Sequence, residues 1–265
     1  GLWAQVRHVA NAPLPHFGDL DPSGRYGDDA GRDDASWDGD AGRRPLRLAV
    51  LGDSSMTGPG LSSPADIWIA RAAAALGRPV ELRSHARGGS RVRDVLEQQV
   101  PTLVEEPADL VVVSVGANDA IHATSLRSYA RTLDRLLDRL AGVAPVVSLG
   151  IGDLSTIPRL PRTFRPVVAR RSAAIDRAHT LVTADRDRVV RVPVSKLSDH
   201  VFRDRGSELF AADLFHPNRH GHSLWAELFH PYLERALDQH GQDVGAPGGA
   251  DGAVVDLRTP MATAR

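Results

Sequence analysis

The chain has 265 residues, 42% of them hydrophobic, and a formal net charge of −1. That is enough for one sizeable α/β domain, and too near neutral for nucleic acid or an anionic membrane to be the main partner. It has no cysteine, which excludes disulfides, thiolate metal ligands and a cysteine nucleophile, and no run approaches the roughly 20 apolar residues of a membrane span.

Residues 1–45 carry eight Asp against five Arg. From about Phe17 to Gly42 the only large apolar groups are Leu20, Tyr26 and Trp37, so 1–45 is expected to be a flexible acidic arm. Tyr26 and Trp37 offer a second role for it, a lid folded over a crevice. Residues 46–240 are expected to form the domain, and 241–265, with Gly245-Ala246-Pro247-Gly248-Gly249, a disordered tail.

Within the domain, short apolar runs predict strands at Leu46–Leu51, Val80–Ser84, Leu110–Val115, Ala144–Leu149 and Val189–Val194. Their continuous β-branched character is that of strands covered on both faces. Helices fall between them. Ser63, Pro64 and Asp66 start one over Ile67–Leu76. Leu126, Ala130, Leu133, Leu137 and Leu140 make the stripe of a second, and Trp225, Leu228, Phe229, Tyr232, Leu233, Ala236 and Leu237 that of a third. Strand and helix alternating five times predict an α/β fold, a five-stranded parallel sheet between two helical layers. Its ligand crevice lies beyond the carboxyl ends of the strands.

The residues just after each strand are therefore the ones that matter. Gly52-Asp53-Ser54 follows the first, a sharp turn that leaves a hydroxyl in the crevice, with Ser55 and Thr57 as rivals. Gly88-Gly89 follows the second, where a backbone amide free of bulky neighbours faces the same rim. Asn118 follows the third, in Gly116-Ala117-Asn118-Asp119. After the fourth, Gly150–Arg162 is a long loop, either one in which Ile157 and Leu160 wall an acyl pocket or a connector stiffened by Pro158 and Pro161. Asp213-Leu214-Phe215-His216 precedes a helix capped by Asn218. A spacing of three lets the carboxylate reach one ring nitrogen, so that the other can take a serine proton. Each motif alone is as readily a turn or a cap; together they supply a nucleophile, amide donors and an acid-base pair at one rim.

With these four blocks in order over about Leu46 to Gln239, the chain resembles the SGNH hydrolases, the GDSL-type esterases and lipases. The resemblance implies a flavodoxin-like fold and a triad of Ser54, Asp213 and His216. It implies an oxyanion hole from the backbone amides of Ser54 and Gly89 and the side chain of Asn118; no cofactor is expected, since no cofactor-binding pattern occurs in the sequence, and no metal. The segments around Leu160-Pro161 and Ala211–Pro217 look most like actinobacterial members exported to or anchored at the cell envelope; a cytoplasmic location stays open. Two departures concern the substrate. Ser55 stands where the family often has Leu, and Arg87 and Arg91 stand where small or apolar residues are common, which favours an anionic or sugar-bearing substrate.

The expected activity is hydrolysis of short-chain acyl or acetyl esters of a small-molecule, lipid or glycan alcohol, by a monomer. Arg87, Ile157, Leu160 and Phe215 are the candidate substrate contacts. An acyltransferase that passes the acyl group to a sugar or other alcohol uses the same triad and stays open. A metal site of Asp213, His216, His220 and His222 is weaker, because it leaves the other three blocks without a purpose. The Gly-x-Ser-x-Gly signature, the dinucleotide fingerprint and the P-loop are all missing from the sequence.

Overall fold

A computed structural model describes residues 17–27, 44–105 and 107–239. The strands are β1 (Gly24–Tyr26), β2 (Leu46–Gly52), β3 (Val80–Ser84), β4 (Leu110–Ser114), β5 (Val146–Leu149) and β6 (Val189–Val192). They lie in the order β1-β3-β2-β4-β5-β6, with β2 to β6 parallel and β1 antiparallel to β3. The five expected strands thus run in flavodoxin-like order, and the strand order reverses between β2 and β4, where such folds open a crevice.

The helices are α1 (Ser54–Thr57), α2 (Trp68–Ala74), α3 (Val92–Asp94), α4 (Ala117–Ile121), α5 (Leu126–Val143), α6 (Arg165–Thr183), α7 (Val194–Arg205) and α8 (Arg219–Gln239). Alternation along β2 sets the two faces. Leu48 and Val50 join Trp68, Ile69, Phe229 and Leu233 of α2 and α8 in one core cluster. Ala49 and Leu51 point the other way, into Leu133, Leu136, Leu137 and Leu140 of α5 and Ile175 of α6. Burial on both faces is what allows near-continuous apolar strands.

Three expectations change. The sheet has a sixth strand, β1, and it comes from the segment read as a flexible arm. Its residues Gly24-Arg25-Tyr26 show no hydrophobic alternation; the backbone pairing with β3 is supported by Ser84 N donating to Ser23 Oγ (3.0 Å). Tyr26 is no lid residue: it packs partly buried against the first cluster and donates its hydroxyl to Pro22 O (2.7 Å). Trp37, the rest of the arm and the tail from 240 lie outside the described residues. Finally, Leu126 of the expected α5 stripe is 40% exposed at the helix start, while Tyr129, one turn on, is fully buried. Among the described residues no helix is long and apolar enough to cross a membrane.

Candidate active site

The exit of β2 is shaped by close packing. Gly52 has φ +141, and a Cβ there would meet Ser114 O at 2.5 Å, so only glycine lets β2 leave the sheet beside β4. The chain then turns directly into α1, with Asp53 as its N-cap accepting from Ser55 N (3.0 Å) and Ser54 as the first helical residue. Burial raises the Asp53 carboxyl above its ordinary range, opposed by its Ser55 bonds and by the nearby His216. The two rival hydroxyls have structural partners: Ser55 Oγ donates to Ser114 Oγ (2.8 Å) and Thr57 Oγ1 to Asp19 Oδ1 (2.7 Å).

After β3, Arg87 to Ser90 form a tight turn closed by Ser90 N to Arg87 O (3.3 Å). Gly89 holds φ +78 in open space, so glycine is needed there for its backbone and not for room. This turn is tied to the β2 exit by Gln99, which is fully buried. Gln99 Oε1 accepts from Gly52 N (2.8 Å), and its Nε2 donates to Gly52 O (2.9 Å) and Ser90 Oγ (3.0 Å). After β4, Asn118 Nδ2 donates to Ser90 O (3.1 Å) and, at greater length, to Asp53 Oδ2 (3.4 Å). Gln99 and Asn118 therefore cross-link the three loops.

The last loop is folded around Asp213. Its Oδ1 accepts from the backbone amides of Phe215 (2.9 Å) and His216 (3.0 Å), and its Oδ2 lies 2.7 Å from His216 Nδ1. Burial pushes this carboxyl up, but the His216 bond and the two amides outweigh it, and it titrates below the ordinary range. Ala211 N donates to His216 O (2.7 Å), and Asn218 Oδ1 caps α8 through His220 N and Gly221 N. The imidazole is thereby held between a buried carboxylate and a helix start.

Ser54, Asn118 and His216 line one cavity of about 140 Å³, together with Asp53, Ser55 and Ser114. The rest of its wall is mostly apolar: Ile121, Leu149, Ile151, Ile157, Phe202, Phe210, Phe215, Trp225 and Phe229, with Asp199 among them. Of the expected substrate contacts, Ile157 and Phe215 line the cavity. Leu160 is instead buried behind it, clustered with Ile157, Phe202 and Phe210, and Arg87 is solvent exposed and not part of the lining. Gly89 also lies outside the lining set. Of the ligands in the metal reading, His222 is buried with Nδ1 accepting from Trp68 N (3.2 Å) and His220 is exposed.

Of the residues that shape the cavity, Gln99, Phe202 and Phe210 carry no sequence motif that points to them. Gln99 follows Glu97 and Gln98, and nothing in the sequence sets it apart from its polar neighbours as a buried tie. Trp225 and Phe229 were legible only as a helix stripe.

A serine at the exit of the central parallel strand, sharing a cavity with a histidine that a buried aspartate holds from behind, is an arrangement of the serine-hydrolase kind on an α/β fold. Residues 50–224 match the GDSL-like Lipase/Acylhydrolase family, and the chain belongs to it, a family of carboxylic ester hydrolases. It is 30% identical over 200 residues to the GDSL-like esterase Rv1075c of Mycobacterium tuberculosis, covering 73% of this chain; it spans 63% of that relative's length. Its fold is also that of a lipolytic G-D-S-L family protein from Veillonella parvula (TM-score 0.60, 14% identity, 72% of this chain and 99% of that one). The acetylxylan esterase Axe2 from Geobacillus stearothermophilus shares it too (TM-score 0.54, 15% identity, 71% and 94%).

Proposed function

We propose that this chain hydrolyses short-chain carboxylic esters through an acyl-enzyme on Ser54. The observation that carries the reading is the Asp213 Oδ2 to His216 Nδ1 bond at 2.7 Å, on a histidine that shares its cavity with Ser54. With Nδ1–H donated to the carboxylate, Nε2 is left as the base. It takes the Ser54 proton as Oγ attacks the ester carbonyl, and gives that proton to the departing alkoxide when the tetrahedral intermediate collapses. Water then repeats the cycle: Nε2 takes its proton, hydroxide adds to the acyl carbonyl, and Ser54 leaves reprotonated with the carboxylic acid as product. Asp213 remains a carboxylate throughout and stabilises the imidazolium.

The oxyanion is assigned to the amides of Ser54 and Gly89 and to Asn118 Nδ2. Asn118 already donates to Ser90 O, so its longer contact with Asp53 is the one that gives way to substrate. Such donors are worth about 10²–10³ each in rate. The size of the cavity supports a short acyl group: about 140 Å³ is close to the roughly 150 Å³ that accommodates a benzene-sized guest in an apolar protein cavity.

The test is a profile of p-nitrophenyl esters from about two to sixteen carbons plus acetylated sugars, with Ser54→Ala as control. The cavity volume predicts a maximum at or below about six carbons. A maximum at the long end would overturn the short-chain assignment, and fluorophosphonate labelling anywhere but Ser54 would overturn the nucleophile.

A further inference from the structure

The segment ahead of β1 crosses the loops of the candidate site before it joins the sheet edge. Leu20 N donates to Thr57 O (2.8 Å). One residue earlier, Asp19 bridges two loops: Oδ1 accepts from Thr57 Oγ1 (2.7 Å) and Oδ2 from Gly88 N (2.8 Å). Thr57 is the last residue of α1, the helix that Ser54 opens, and Gly88 directly precedes Gly89. A Cβ on Gly88 would sit 2.6 Å from Asp19 Oδ1, so position 88 lacks a side chain because the carboxylate occupies its place.

Gln99 and Asn118 tie the turn at Ser90, its far end, and the glycine pair in its middle is the part most free to move. Two consecutive glycines have the widest backbone freedom of any pair. Gly88 and Gly89 are both exposed, and no atom lies within 4 Å of where a Gly89 Cβ would be. Arg87 N to Gly52 O (3.1 Å) and the Ser90 to Arg87 bond fix the two ends of the turn; Asp19 fixes its middle.

We propose that Asp19 is a positioning residue: it locks the Gly88-Gly89 peptide to the helix that carries Ser54, so that the N-terminal segment is part of the catalytic frame. The inference rests on the reading of Ser54 as nucleophile and of the Gly89 amide as an oxyanion donor. Its mode is geometric. A negative carboxylate near a developing oxyanion opposes that charge, so electrostatics alone would give Asp19 the wrong sign. A misplacement of about 1 Å in such a donor costs up to about 10² in rate.

The experiment compares Asp19→Ala, Asp19→Asn, Thr57→Val and the Asp19→Ala/Thr57→Val pair in the full chain, on one short ester, with Ser54→Ala alongside. Asp19→Ala should lower kcat about tenfold or more and leave KM within about twofold, with an equal fall in the rate of inactivation by a p-nitrophenyl phosphonate, which also builds a tetrahedral anion. Asp19→Asn should stay within about threefold of the parent, because its Oδ1 still accepts from Gly88 N while Nδ2 donates to the Thr57 hydroxyl. The double variant should be no worse than Asp19→Ala, as for two members of one unit. A kcat for Asp19→Ala within about twofold of the parent, or a loss confined to KM, overturns the inference while a dead Ser54→Ala leaves the serine reading standing; an active Ser54→Ala overturns that reading instead. Should Asp19→Ala not fold, Thr57→Val carries the test, since it keeps the Gly88 bond and the backbone bond from Leu20 N to Thr57 O and loses only the side-chain tie to α1: a severalfold fall in kcat supports the strut, and an unchanged kcat overturns it.

Discussion

The hydroxyl of Ser55 donates to that of Ser114 across 2.8 Å, joining the start of α1 to the end of β4. Ser55 is thereby a structural residue beside Ser54, which lines the same cavity as His216. Ser54→Ala is expected to lower kcat for a short p-nitrophenyl ester at least about a thousandfold. Ser55→Ala, which removes one partly buried hydroxyl bond, should cost no more than about threefold and about 1 kcal/mol of stability. Steady-state kinetics on the two purified variants decide it, and a reversal of the two losses would move the nucleophile to Ser55.

Asp213→Asn probes the tautomer of His216. Asn Oδ1 can keep the bonds from Phe215 N and His216 N, which leaves Nδ2, a donor, facing His216 Nδ1. Nδ1 must then accept, Nε2 carries the proton, and the ring cannot take one from Ser54. The expected result is a fall in kcat of about 10²–10⁴ with a native circular dichroism spectrum.

The parts of the site that were legible in the sequence are those written locally. Apolar runs covered on both faces marked the strands, the doubly wound pattern made their exits the place to look, and Asp213 and His216 are close enough in sequence for their bond to be foreseen. The parts that were not legible depend on tertiary meetings. Gln99 reaches Gly52 across 47 positions and Asp19 reaches Gly88 across 69, and neither carries a periodic signal. β1 was missed because its three residues contribute backbone pairing rather than an apolar face. Arg87 was over-read, since a charge beside a glycine pair is as readily solvated as aimed at substrate, and here it is exposed.

Two histidines outside the proposed chemistry contribute to the acid sensitivity of the fold. Burial lowers both His179 and His222 to about 3, with Arg191 adding to the effect at His179 and His216 at His222. His179 Nδ1 accepts from Arg191 Nε, leaving its Nε2–H for Ser148 Oγ (2.9 Å). Their folded values lie below the ordinary 6.5, so the unfolded chain binds more protons; their stabilisation is full above about 6.5 and is lost as pH falls from there toward about 3. Each site adds up to about 1.4 kcal/mol per pH unit inside that window. His222→Asn, which keeps an acceptor near the Trp68 amide, should be less stable at pH 7.5 yet lower the slope of urea stability between about pH 6 and 4.5 by up to about 1.4 kcal/mol per pH unit. An unchanged slope would assign the acid sensitivity elsewhere.

Asp199 works in the opposite sense. Burial raises its carboxyl to about 6, the neighbouring Asp153 charge adds to this, and the bond from Asp153 N (2.9 Å) only partly offsets it. A folded value above the ordinary 3.8 means that the folded chain binds the extra proton. The stabilisation is present below about pH 3.8 and is lost as pH rises through about 6. Asp199→Asn retains the acceptor for Asp153 N and cannot ionise, so it should be more stable than the parent by about 1–2 kcal/mol at pH 7.5 and equal to it near pH 4. Urea midpoints at the two pH values read this directly, and a gain of the same size at both would show that packing rather than ionisation is responsible. Because Asp199 also lines the cavity with Ile157 and Phe202, the same variant removes one ionisable carboxyl from its wall. Any activity gain for an apolar acyl ester should therefore grow with pH above about 6, in step with the stability difference.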